Sequence, residues 1–140
     1  MRSLIAPLFL ACLVFMGVSG CPPQGACVEP IDGPLMAGQW GGNHWLFQVG
    51  SDGTTYVETD CAHGTTTEPV LVYGGTMTFT VDMASEGGPQ QVPPEPVNTY
   101  SATLTGTVCG DTIEFTYAGE DFSLESEVIY GEQPVLYKCL

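Results

Sequence analysis

Six cysteines, two histidines and a large excess of acids carry whatever chemistry this chain performs. His63 sits in Asp60-Cys61-Ala62-His63-Gly64. His44 lies one expected strand earlier, with an Asp52-Gly53 turn signal between them. A hairpin at that turn brings His44 onto the same region of sheet as Glu58 or Asp60. Two imidazoles and a carboxylate form a transition-metal donor set, so His44, His63 and Asp60 are the candidate ligands. The plainer reading has both histidines satisfying backbone groups at strand ends, and no cofactor is expected. Asp121, Ser123, Glu125 and Glu127 share one strand parity and could offer oxygens to Ca²⁺. They lack EF-hand spacing and read as a solvated face.

The catalytic inventory is thin. Beyond residue 20 there is no G-x-S-x-G, no H-E-x-x-H and no phosphate-cradling loop. A Cys/His nucleophile pair requires a free thiol, and paired carboxylates occur in any chain this acidic. These residues point to a binding protein rather than an enzyme. With Lys and Arg together numbering 2 and a formal charge of −14, nothing neutralises phosphates, which excludes sequence-independent nucleic-acid binding.

The start of the chain reads as an address. Met1-Arg2 precedes an apolar run from Leu4 to Val18, too short for a bilayer core of about 30 Å. This is the pattern of a secretory signal. Val18-Ser19-Gly20-Cys21 resembles the lipobox of bacterial lipoproteins. That resemblance implies cleavage before Cys21, with a diacylglyceryl thioether and an acylated amine on it. Cysteine parity agrees. Cys12 leaves with the signal and Cys21 takes lipid, so Cys27, Cys61, Cys109 and Cys139 remain as an even set. They lack C-x₂-C spacing and the compartment is oxidising, which disfavours zinc. The expected organisation is a signal peptide over 1–20, a Pro/Gly-rich tether over 21–35 and a β domain over 36–140. The mature chain sets 16 acids against Lys138 alone, a net −15. Anionic headgroups repel such a domain, so the lipid must supply the membrane attachment, while basic partners are attracted at low salt.

The elements that position these residues are short strands. Trp45, Phe47 and Val49 alternate with Leu46 and Gln48. Val57, Thr59 and Cys61 share a face on the return. Val70–Tyr73 is a continuous apolar run. Met77, Phe79, Val81 and Met83 alternate with threonines and Asp82, the cleanest half-buried strand in the chain. Residues 84–98 form a long Pro/Gly loop, a length that is usually either functional or disordered. Tyr100 to Val108 and Ile113 to Tyr117 alternate again, as do Phe122 and Leu124, and Val135 to Leu140 reads as a last strand. No helix is expected after the N-terminal signal helix, and fifteen threonines suit the wet face of a sheet. The pattern predicts seven to nine strands in a small antiparallel up-and-down β-barrel, lipocalin-like, with a β-sandwich as the runner-up.

Several segments together resemble a family of uncharacterised bacterial secreted proteins and lipoproteins. They are Gly38-Gln39-Trp40-Gly41-Gly42-Asn43-His44, Asp60-Cys61-Ala62-His63-Gly64, Gly87-Gly88-Pro89, Tyr100-Ser101-Ala102, Gly106-Thr107-Val108 and Lys138-Cys139-Leu140. The resemblance covers most of 36–140 and implies a domain, not an activity. Gly38-Gln39-Trp40 is also similar to the G-x-W that opens lipocalins, which implies Trp40 at the floor of a barrel. Three disulfide connectivities are open. The expected one is Cys61–Cys139 with Cys27–Cys109. Its first pair ties an early strand to the terminal one and belongs to the family pattern; its second pair does not.

These readings predict a monomeric, lipid-anchored module of the bacterial cell envelope. It would bind an envelope protein or other basic protein through its loops, chiefly 84–98. The alternatives are a carrier of small hydrophobic ligands, its cavity lined by some of Trp40, Trp45, Phe47, Phe79, Tyr100 and Phe115, and an inhibitor of a basic envelope-attacking enzyme.

Overall fold

The computed structural model describes residues 30–86 and 98–139. Ten strands run β1 Gly33–Pro34, β2 Gly38–Gly42, β3 Trp45–Val49, β4 Thr55–Thr59, β5 Ala62–Thr65, β6 Leu71–Tyr73, β7 Thr76–Ser85, β8 Thr99–Cys109, β9 Thr112–Ala118 and β10 Ser123–Tyr130. Eight of them close into an antiparallel barrel in the order β2-β3-β4-β5-β7-β8-β9-β10, and β10 returns to pair with β2. Closure by β7–β8 and β10–β2 makes this a barrel and not a sandwich. The short β1 and β6 stand outside it. β6 pairs with the start of β7 at Val72↔Met77, whereas β5 pairs with its end at Gly64↔Met83, so the two share one edge of the longer strand.

Period-two patterning dictates the interior. Trp45, Phe47 and Val49 face Thr59, Val57 and Thr55 across the β3–β4 ladder. Phe47, Val57, Met83, Leu104, Ile113 and Val128 are fully buried. Aromatic rings interlock edge to face at the centre, with Trp45 at 5.0 Å from Phe115 and 4.8 Å from Tyr117. Such pairs contribute about 0.5–1.5 kcal/mol each beyond their buried area. Trp40 is buried, donates its indole N–H to the Met36 carbonyl at 3.0 Å and stands edge-on to Tyr130. The outward faces of β7 and β8 are lined by threonines in register, Thr78 opposite Thr105 and Thr80 opposite Thr103.

Two expectations change here. The last strand expected over Val135–Leu140 does not form in its described part, residues 135–139. After β10 the chain crosses the barrel end as a strap whose β-pairing among the described residues is a single parallel bridge, Asn43↔Val135. Val135 and Tyr137 are 50% and 64% exposed, so no buried face draws them into a ladder. The strand expected around Phe122 and Leu124 begins at Ser123 and runs to Tyr130, with Phe122 in the turn before it. Ile31 and Leu35, read from composition as the end of the tether, pack against the core. The signal helix, Cys21 and Cys27 lie outside the described residues, as do 87–97 of the long loop.

Candidate functional site

One barrel end carries most of the candidate residues. Strands β2, β4, β7 and β9 finish there and β3, β5, β8 and β10 begin there. Seven residue pairs join β10 to β9, but only Ile129↔Gly41 and Tyr130↔Trp40 join it to β2. The seam therefore splits beyond Gly42, leaving a cleft of about 680 Å³. Trp45, Tyr100, Tyr117, Phe122 and Leu124 give it apolar surface, and Asn43, His44, Asp60, Glu125 and Ser126 give it a polar rim. Trp45 and Tyr117 are almost wholly buried and form the floor, whereas Phe122 and Leu124 are 38% and 56% exposed at the lip. Phe122 lies against both Tyr117 (5.1 Å) and Tyr100 (6.0 Å), and the two tyrosine hydroxyls are hydrogen-bonded at 2.8 Å. Burial pushes the Tyr117 phenol well above its ordinary pKa, and the Tyr100 hydroxyl adds to the shift, so the floor stays uncharged.

The rim is pinned by Asp60. Its Oδ2 meets His44 Nδ1 at 2.5 Å and its Oδ1 accepts the Tyr137 N–H at 2.7 Å. Partial burial raises the Asp60 pKa, but the Tyr137 N–H, His44 and Lys138 outweigh it and hold the carboxyl below its ordinary value. His44 occupies the second position of the two-residue turn between β2 and β3 with φ +70°. It is the only non-glycine among the described residues with positive φ, a conformation that persists only when the surroundings hold it. The Val135 carbonyl accepts its N–H at 2.8 Å, and Asp60 holds its ring.

The strap completes this end. Cys139 is disulfide-bonded to Cys61, their Cα atoms 5.1 Å apart, as the sequence predicts. Cys109 is disulfide-bonded too, and its expected partner, Cys27, lies outside the described residues. Lys138 bridges Glu58 and Glu86, with Glu86 Oε2 at 2.9 Å. Glu58 and then Glu86 push the lysine above its ordinary pKa. Lys138 and then His63, working against partial burial, hold Glu86 below its own.

The structure brings His44 and Asp60 together, as the hairpin predicts, but sends His63 elsewhere. His63 contacts Glu86 beside Tyr56, on the outer face of the sheet. Among the described residues no group of three or more His, Cys, Asp or Glu side chains is placed to hold a metal ion. Glu125 and Glu127 lie on the outward face of β10, as parity implies, and Glu125 also reaches the cleft lip. Of the aromatics expected around a ligand, Trp40, Phe47 and Phe115 fill the core, Phe79 packs against it, and Trp45 and Tyr100 line the cleft. Strand patterning alone does not mark Phe122 and Leu124 as site residues. The signal for them was an apolar pair directly after Gly119-Glu120-Asp121, where a turn places apolar groups at a barrel mouth. No family model, curated protein or solved structure matches the chain.

Proposed function

We propose that this chain is a binding module of the bacterial envelope, tethered by lipid on Cys21, that holds a small apolar-bodied ligand in the cleft at the split end of its barrel. The cleft is the observation that carries this reading. Its volume of about 680 Å³ falls within the ~300–1,000 Å³ of small-molecule sites, and its make-up, apolar walls with a few fixed polar groups, is the usual one. The barrel interior is filled, so the ligand sits at the mouth and not at the centre. The pinned His44–Asp60 pair and the strap keep the rim in place before a ligand arrives, which lowers the ordering cost of binding.

A neutral apolar fluorophore such as phenylnaphthylamine tests this reading. Its emission is expected to rise on mixing with the protein and to lose that rise in Leu124→Glu, a change at an exposed position that leaves the core intact. Enhancement that is absent, or indifferent to Leu124→Glu, overturns the site.

A further inference from the structure

Resting on that reading of the cleft, we infer that its ligand is a lipophilic cation, an ammonium or similar group on an apolar body, and that anionic lipids are turned away. Two independent features of the lining point there. The first is its charge. Asp60 and Glu125 are the carboxylates of the lining, and no lysine or arginine is among its residues. The one lysine of the described residues, Lys138, is held between Glu58 and Glu86. A carboxylate, sulfate or phosphate headgroup entering the cleft would shed water and meet as its one basic side chain His44, whose Nδ1 Asp60 already holds, which is the costly way to bury a charge. Asp60 already uses one lone pair of each oxygen on His44 and Tyr137, and each oxygen can accept another hydrogen bond. Glu125, at the cleft lip, makes no side-chain hydrogen bond or ion pair within the described residues.

The second feature is the rings. Tyr100, Tyr117 and Phe122 contact one another, and Trp45 lies behind Tyr117. Clustered aromatic faces attract cations through the ring quadrupole, most strongly where water is displaced, and they do so for quaternary ammonium groups that cannot donate hydrogen bonds. Rings and carboxylates lining one cleft suit an ammonium head, and Leu124 with Phe122 suits the apolar remainder. The formal charge of −14 draws such ligands in at low salt.

Three probes of equal tail length separate the terms: octyltrimethylammonium, octanol and octyl sulfate. Each is kept below its micelle concentration and titrated into the full chain carrying Cys21→Ser, followed by calorimetry and amide NMR. The expected result is ammonium binding about tenfold tighter than octanol, with sulfate weakest. Shifts should be confined to Trp45, Tyr117, Phe122 and Leu124. Glu125→Gln should weaken the ammonium and leave octanol unchanged. If all three bind alike at those residues, the cleft stands and the charge selection is overturned. If ammonium shifts are scattered over the acidic surface, general screening is the cause and the inference fails. If no probe moves the cleft residues, the reading of the cleft fails with it.

Discussion

Asp60 holds two separate pieces of chain with its two oxygens, the β2–β3 turn through His44 and the strap through the Tyr137 amide. Removing the carboxylate releases both. Asp60→Ala is expected to cost on the order of 1 kcal/mol, at the low end for hydrogen bonds to a charged group because the site is partly wet. It should speed amide exchange at Tyr137 while leaving β8 and β9 protected. Unchanged exchange at Tyr137 would show that the strap is held by other means. The same groups set a pH window. Asp60 and Glu86 sit below their ordinary values of 3.8 and 4.5, so their stabilisation is present above those values and fades as pH falls through the lower folded ones. Lys138 sits above its ordinary 10.5, so its contribution is complete below that value and is lost as pH rises through the higher folded one. Strap exchange, corrected for intrinsic rate, should accelerate in acid as pH falls through the lowered values of Asp60 and Glu86. Sequence made His44–Asp60 legible because one hairpin joins them. It hid His63–Glu86 and Lys138–Glu58, which depend on where β7 and the strap cross the end of the barrel.

Strands behave as their patterning says wherever one face is buried, and depart from it where none is. Met77, Val81 and Met83 alternate inward and form a ten-residue strand, whereas Val135 and Tyr137 alternate just as well and stay outside the sheet. Periodicity marks which residues share a face, not whether a core waits for that face. The strap is fastened instead by the Cys61–Cys139 bond and by backbone bonds such as Val135 N–H to the Gly42 carbonyl at 3.0 Å. Replacing Cys61 and Cys139 with serine should cost ~2–4 kcal/mol, read as a lower denaturant midpoint with an intact barrel spectrum. The seam itself rests on a glycine. A Cβ on Gly42 would lie 2.2 Å from the Glu127 carbonyl, so β10 closes on β2 only because no side chain stands there. Gly42→Ala should therefore destabilise by about 1–3 kcal/mol, as an overpacked core position does, and widen the split at the cleft. A thermal midpoint equal to that of the parent protein would show that β10 does not need this approach.

At the scale of the whole molecule, a filled barrel with one split end separates stability from binding. Trp40, Phe47 and the ring cluster make the interior solid, and the seam opens only where β10 outruns β2. The barrel was legible from turn signals and strand count, whereas the split was not, since it depends on how many residues of β10 find partners. The acidic surface and the proposed lipid on Cys21 divide labour in the same way, one drawing cations and the other holding the membrane. Native mass spectrometry of the protein released gently from its own envelope tests this account most directly. The expected mass is that of a chain beginning at Cys21 and carrying lipid, with a small-molecule adduct that Leu124→Gln removes. An unlipidated chain, or a bare mass that is the same with and without Leu124→Gln, contradicts it.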